Sequence, residues 1–170
     1  MSAPPTLASL DAAMQLVGDL VVGLTGLPST SVMFANTDQA QPSVDHIIMQ
    51  PLADEGVMHP VRVGANAQQA CEVDVLLTAH GWAAVTALRA LKTTIWMDTP
   101  TRITSIQAGL MLRSVSSVTD QSALDSSSVQ PRAAMTVRFA YVLEVAAAEP
   151  PEATEVYVTV NGGPAIITNI

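Results

Sequence analysis

From Arg132 to Val145 the chain alternates. Ala133, Met135, Val137, Phe139, Tyr141, Leu143 and Val145 hold the odd positions, and Arg132, Thr136, Arg138 and Glu144 stand at even ones. A two-residue period puts one face of a strand on a core and the other in a wetter setting. Pro131 has no N–H to give a ladder and suits only the entry to such a strand. This is the longest clean alternation in the sequence, and we read it as a central antiparallel strand. Cys71, Val73, Val75, Leu77 and Ala79 repeat the pattern against Glu72, Asp74 and Thr78. If the two strands pair, Glu72 or Asp74 faces Arg132 or Arg138, a cross-strand ion pair worth up to about 1 kcal/mol.

Elsewhere the period changes to three and four. Leu7, Leu10, Met14, Val17, Val21 and Leu24 form one stripe of an amphipathic helix, with Asp11, Gln15 and Asp19 on its other side. Thr6 is its expected N-cap, and Gly23, Gly26 and Pro28 its stop. Val85, Leu88, Leu91 and Ile95 make a second stripe within residues 82–96, whose alanines favour helix. Arg89, Lys92 and Thr93 lie away from that stripe. Residues 30–35 read as a short strand. Residues 101–118 are rich in β-prone side chains and read as an imperfect strand, with Gly109 as a bulge or bend. The fold class that follows is α+β: a mixed, mostly antiparallel sheet with two main helices packed on one face.

Two other stretches are apolar but broken. Residues 44–52 and 57–63 surround Ala53-Asp54-Glu55-Gly56, which reads as a hairpin tip. Pro51 and Pro60 interrupt the runs, so they belong at an edge or on a projection. Near the C-terminus, Pro150-Pro151 lies in a linker, residues 155–160 read as a strand, and Asn161-Gly162-Gly163-Pro164 reads as a turn into a returning arm. Residues 1–148 are thus expected as the α+β domain and 149–170 as a linker with a C-terminal β-hairpin arm. Exposed edges this apolar are an aggregation hazard in a monomer. We therefore expect Ile47, Ile48, Leu52, Val57 and Met58 on the hairpin, and Val156, Tyr157, Val158, Ile166 and Ile167 on the arm, to meet other protein.

Composition sharpens that expectation. Apolar residues make up 49% of the chain and charged residues only 13%, against a usual charged share of about 25%. Either this is a low-charge monomer rich in Ala, Ser and Thr, or a subunit that hides much of its surface. Depletion of charge marks interfaces and favours the second. The net charge is −8, with Lys92 the one lysine, which argues against tight nucleic-acid binding, since that needs clustered cations. A single cysteine, Cys71, sits in a strand pattern and reads as a buried, inert thiol. No apolar run is long enough for a transmembrane helix. The opening Met1-Ser2-Ala3-Pro4-Pro5 lacks the basic-then-apolar order of a signal peptide.

Candidate chemistry is thin. There is no GxGxxG, Walker loop, HExxH, CxxC or GxSxG. His46 and His59 could start a metal site, but no third ligand stands at a usable spacing. Asp54 and Glu55 could be paired carboxylates, though a turn tip is the commoner use. Ser126-Ser127-Ser128 reads as a solvated loop, and Asn161-Gly162-Gly163 as a turn rather than an anion nest. No catalytic residue, cofactor or metal is expected.

A resemblance adds to this. Glu72-Val73-Asp74-Val75-Leu76-Leu77 is followed by the helix opening Trp82-Ala83-Ala84-Val85-Thr86-Ala87-Leu88. Farther on, Leu112-Arg113-Ser114-Val115, Asp120 and Leu124 precede Pro131-Arg132-Ala133-Ala134-Met135-Thr136-Val137-Arg138-Phe139-Ala140-Tyr141. This order of strand, short turn, Ala-rich helix, polar loop and Arg-led alternating strand resembles the tail- or neck-terminator proteins of tailed bacteriophages. The resemblance is best over residues 70–144 and does not extend past Pro150. It implies a hexameric ring in the virion that caps the finished tail tube and joins it to head-completion proteins. DNA would pass through the lumen without specific binding, the sheath terminus would be a further neighbour, and assembly would take place in the host cytoplasm with no membrane partner. A head-closure or tail-completion adaptor of the neck is the nearest alternative. A small α+β enzyme or a monomeric binding module is the remote one.

Overall fold

The computed structural model describes residues 5–35, 44–63, 66–125, 128–146, 156–160 and 163–167. At its centre lie two long antiparallel strands, β4 (Asn66–His80) and β9 (Arg132–Ala146), paired over their whole length from Asn66↔Ala146 to His80↔Arg132. Both expected alternations are realised. Cys71, Val73, Val75, Leu77 and Ala79 are buried on one face together with Ala133, Met135, Val137, Phe139 and Tyr141, while Leu143 is half-buried.

Each outer side of this pair is filled in turn. Beside β4 run β2 (His46–Gly56) and β3 (Val61–Val63), both antiparallel to it. The short β1 (Val32–Phe34) is parallel to the start of β2. Beside β9 lie β5 (Leu110–Val115) and β6 (Thr119–Asp120), then Leu7, which bridges to Leu143 and exchanges backbone bonds with Val142 and Glu144. The principal order is β1-β2-β4-β9-β5, so the sheet is mixed and mostly antiparallel. Between β6 and β9, β7 (Ala123–Asp125) and β8 (Ser128–Gln130) form a small separate hairpin. β10 (Val156–Val160) and β11 (Gly163–Ile167) form another, the C-terminal β arm.

Helices cover one face. α1 (Leu10–Thr25) buries Ala13, Met14, Val17, Leu20 and Val21, and α2 (Trp82–Thr94) buries Ala84, Val85, Leu88 and Leu91. These side chains and Ile95 share one core with the odd positions of the strands. α1 starts later than the sequence suggests. Its N-cap is Ser9, whose Oγ accepts from the Ala12 N–H at 3.2 Å. Thr6 instead donates to Glu144 at 2.6 Å, because the chain before Ser9 is held against the end of β9 by the Leu7 bridge. At the start of α2, Gly81 has φ +86 and offers no side-chain cap. Asp45 supplies one from the strand approach, accepting from the Ala83 N–H at 3.2 Å. A Cβ at position 81 would strike that carboxylate, so both the torsion and the close approach require glycine.

Two expectations need correction. Residues 101–118 are not one strand: α3 (Thr99–Gln107) comes first and β5 follows. Ile103, Ile106 and Leu110 already stood three and four apart, but β-branched Thr and Ile residues obscured that period. Gly109 is the left-handed residue, at φ +100, that turns the end of α3 into β5. Among the described residues the short α3 thus joins the two main helices, α1 and α2. The second correction concerns the hairpin. Ala53 to Gly56 is no tip; β2 runs straight through it, with Glu55 opposite Glu72 and Gly56 opposite Cys71. β3 continues along the same side of β4, and the reversal falls between Val63 and Asn66. Asp54 is a strand residue because the buried Tyr141 hydroxyl donates to it at 2.8 Å. Pro51 sits where β1 no longer flanks β2, at a register shift between Pro51 and Ala53, which is where a strand tolerates proline. The projection is thus the β2/β3–β4 hairpin, backed by β9 as a third strand.

Candidate functional site

The polar clusters are the first candidates for chemistry; the charged ones are paired from within, while the buried His46 Nε2 has no hydrogen-bond partner among the described residues. On the sheet face away from the helices, Arg138 grips Asp74 with two bonds of 2.7 Å. It also lies 3.9 Å from Glu72, which Arg113 approaches at 3.4 Å. The Asp74↔Arg138 pairing expected from the two alternations is present, whereas Arg132 faces His80. The guanidinium holds the Asp74 carboxyl below its usual range, and the carboxylates in turn push Arg138 further up. Glu55 faces Glu72 directly across the strands, and Arg138 between these acids offsets their repulsion. Asp54 and Glu55 are neighbours on a strand and so address opposite faces, which removes them as a carboxylate pair.

His46 does not meet His59. It is buried and stacks on His80, its cross-strand partner, with centroids 4.7 Å apart and planes within 3°. Its Nδ1 sits 2.8 Å from the Val44 carbonyl. Burial lowers the His80 pKa, and Arg132 and His46 add to the shift. Burial likewise pushes the Cys71 thiol up, with Asp54 adding to it, so little thiolate is available for nucleophilic work at neutral pH. Among the described residues no three His, Cys, Asp or Glu side chains converge as a metal site. No helix among them is long and apolar enough to cross a membrane.

The apolar surface is the second candidate. Of the residues expected at interfaces, Ile47 has no exposed surface and belongs to the chain's own core, because its strand position shares the helix-covered face with Met49. Ile48 is half-buried on the opposite face. Leu52, Val57 and Met58 are open, at 53, 55 and 62%. Val61 and Val63 extend the same exposed edge; their place beyond Pro60 hid them, since the β2–β3 run was read as two arms of a hairpin. On the C-terminal hairpin the backbone register sets Val156 opposite Ile167, Tyr157 opposite Ile166 and Val158 opposite Ala165. Further exposed groups escaped the sequence reading, among them Trp82 at the start of α2, Trp96 and Met97 just past its end, and the facing pair Leu124 and Val129 on the β7–β8 hairpin. Their signal was available for the tryptophans, which fall off the Val85–Leu88–Leu91–Ile95 stripe.

Fold and surface together define an α+β protein whose charged and histidine clusters tie strands to one another, and whose open apolar side chains gather on hairpins and along one helix. A family model described as phage neck terminator protein matches residues 11–166, which includes the segment after Pro150 that the sequence resemblance left out. The chain belongs to the phage neck terminator family. It is a structural protein of the bacteriophage virion, placed at the tail and neck, where it meets other tail and head–tail proteins. No curated protein sequence matches the chain.

Proposed function

We propose that six copies of this chain form a ring that terminates the tail tube and joins it to the head-completion proteins, with DNA passing through the lumen. In this reading residues 1–148 are the ring-forming domain and 149–170 an arm. The β2–β3 edge and the arm reach neighbouring subunits, the tube or the sheath terminus. The observation that carries it is the exposed apolar edge from Leu52 to Val63, five side chains each more than half open, in a chain with 13% charged residues. A strand edge of that composition needs a protein partner.

The net charge of −8 suits a channel through which a polyanion slides without sticking. Among the described residues Arg89 pairs with Asp120, Arg113 with Glu72 and Arg138 with Asp74, which leaves fewer cations for phosphate. The subunit performs no catalysis, binds no cofactor and assembles in the host cytoplasm without a membrane step. The test is to delete residues 147–170 and, separately, to replace Leu52, Val57 and Met58 by Asp, then follow particle size and head–tail joining. Loss of joining with a folded subunit is expected from each. Rings and joining equal to wild type in both variants would refute the role of these surfaces.

A further inference from the structure

We propose that the outward stripe of α2 is the docking site for the acidic diproline segment, residues 149–155, of a neighbouring copy. This rests on the reading that the chain self-assembles and names the contact through which it does so. Both tryptophans of the chain flank α2 and both are open, Trp82 at 69% and Trp96 at 43%. Trp82 opens α2 and Trp96 follows its end at Thr94, at a spacing close to four turns of the helical period that brings it back toward the face of Trp82. Arg89 lies midway on that face and Lys92 a turn farther on. Lys92 is exposed and makes no ion pair among the described residues. The Arg89 bond to Asp120, 3.2 Å long, joins two side chains more than half exposed, a pair that exchanges at little cost. Arg102 sits over the Trp96 ring at 5.6 Å and adds a third cation. In a protein of net charge −8, this concentration of cations and open indole is the chemical exception.

The matching chemistry lies in the same chain. Residues 149–155 read Glu-Pro-Pro-Glu-Ala-Thr-Glu, three acids and two prolines with no base. Proline is a favoured partner of aromatic faces, and carboxylates of guanidinium and ammonium groups. Reach selects a neighbour for the Trp82 end of the stripe, although the other end lies nearer, since Ile95 and Arg102 pack beside Phe139. β9 ends at Ala146, opposite Asn66, whereas Trp82 follows His80 at the other end of β4. Those ends are about 45–50 Å apart along the strand. The whole stretch from 147 to 155 spans at most about 30 Å. Across a ring contact the next copy's helix has no such separation imposed on it.

The experiment uses the full chain, whose emission comes from Trp82 and Trp96, with tryptophan fluorescence and sedimentation followed together over a dilution series. The variants are E149Q/E152Q/E155Q, the reversal R89E/K92E, the reversal E149K/E152K/E155K, and the two reversals combined; all sites are on the surface, and circular dichroism checks each fold. Wild type should shift its emission to the red as it dissociates. Each single set should weaken association at least tenfold and leave the emission red, and the combined reversal should restore both. A neutralised variant that matches wild type in emission and association overturns the proposal, as does failure of the combined reversal to rescue. A blue emission that persists unchanged in dilute monomer shows the segment folded back on its own subunit and also overturns it. A wild type that never associates sinks the ring reading itself, a different result from association with an unaltered stripe.

Discussion

The two halves of the central strand pair are chemically alike and physically different. From Cys71 to Ala79, every second residue of β4 lies under α1 and α2 and is sealed from water. From Asn66 to Ala70 the same strand is half-buried throughout, and along its outer side the neighbouring chain is exposed from Gln50, opposite Leu76, to Val61, opposite Gln68. Both halves keep their ladders. What differs is the presence of a second layer. Apolar side chains such as Leu52, Val57 and Met58 are no less hydrophobic than Val73 or Val75; they merely lack a helix from their own chain. The covered side chains make the fold, and in the proposed assembly the uncovered edge is the part that meets other protein.

The largest test of that contrast compares one helix-covered residue with one on the open edge. Phe139, 2% exposed beneath the helices, should cost about 3–5 kcal/mol on Phe139→Ala. Leu52→Ala on the open edge should change the subunit's stability by less than about 0.5 kcal/mol, while weakening assembly. Denaturant titration of dilute protein measures both, and equal losses would erase the distinction. Next in size is the bond that ties the covered core to the open edge. Tyr141→Phe removes the 2.8 Å donation to Asp54 and should cost about 1–2 kcal/mol by the same titration. Its effect should be greatest on proteolysis of the β2–β3 edge.

These contrasts also show what the sequence disclosed. In three covered places the period was legible: Ala133 to Tyr141 of β9, Cys71 to Ala79 of β4, and the Val85–Leu88–Leu91–Ile95 stripe all fall where the pattern puts them. The misreadings fall where a tertiary contact outweighs local propensity. Asp54-Glu55-Gly56 has turn chemistry, yet the hydroxyl of Tyr141, distant in sequence, makes it strand. α3 carries β-branched residues, yet its place beside α1 and β5 makes it helix. Ile47 was grouped with the exposed edge because periodicity does not tell where one strand passes from covered to open. The exposed tryptophans were legible as residues off the helix stripe, but not as a site until their exposure was seen beside Lys92 and Arg89.

Smaller effects follow from the charged groups. His80 has a folded pKa below the usual 6.5 because burial favours its neutral form. Its contribution is therefore complete above that value and is lost as pH falls through the depressed folded value, where the unfolded state binds the extra proton. Melting temperature should decline across that window, and His80→Gln should flatten the decline; a slope unchanged in the variant would remove His80 as its source. Smallest of all, Arg138→Ala should lower the melting temperature only slightly, since its pairs with Asp74 and Glu72 lie on an open face. Added salt should shrink the difference between variant and wild type.

The account rests on the uncovered half being covered by other copies, and the mass of the full chain in solution tests this most directly. Native mass spectrometry over a concentration series should give a species six times the 17.8 kDa subunit, with ring-shaped particles in electron images of the same sample. A mass that stays at one subunit at the highest concentration reached would contradict it.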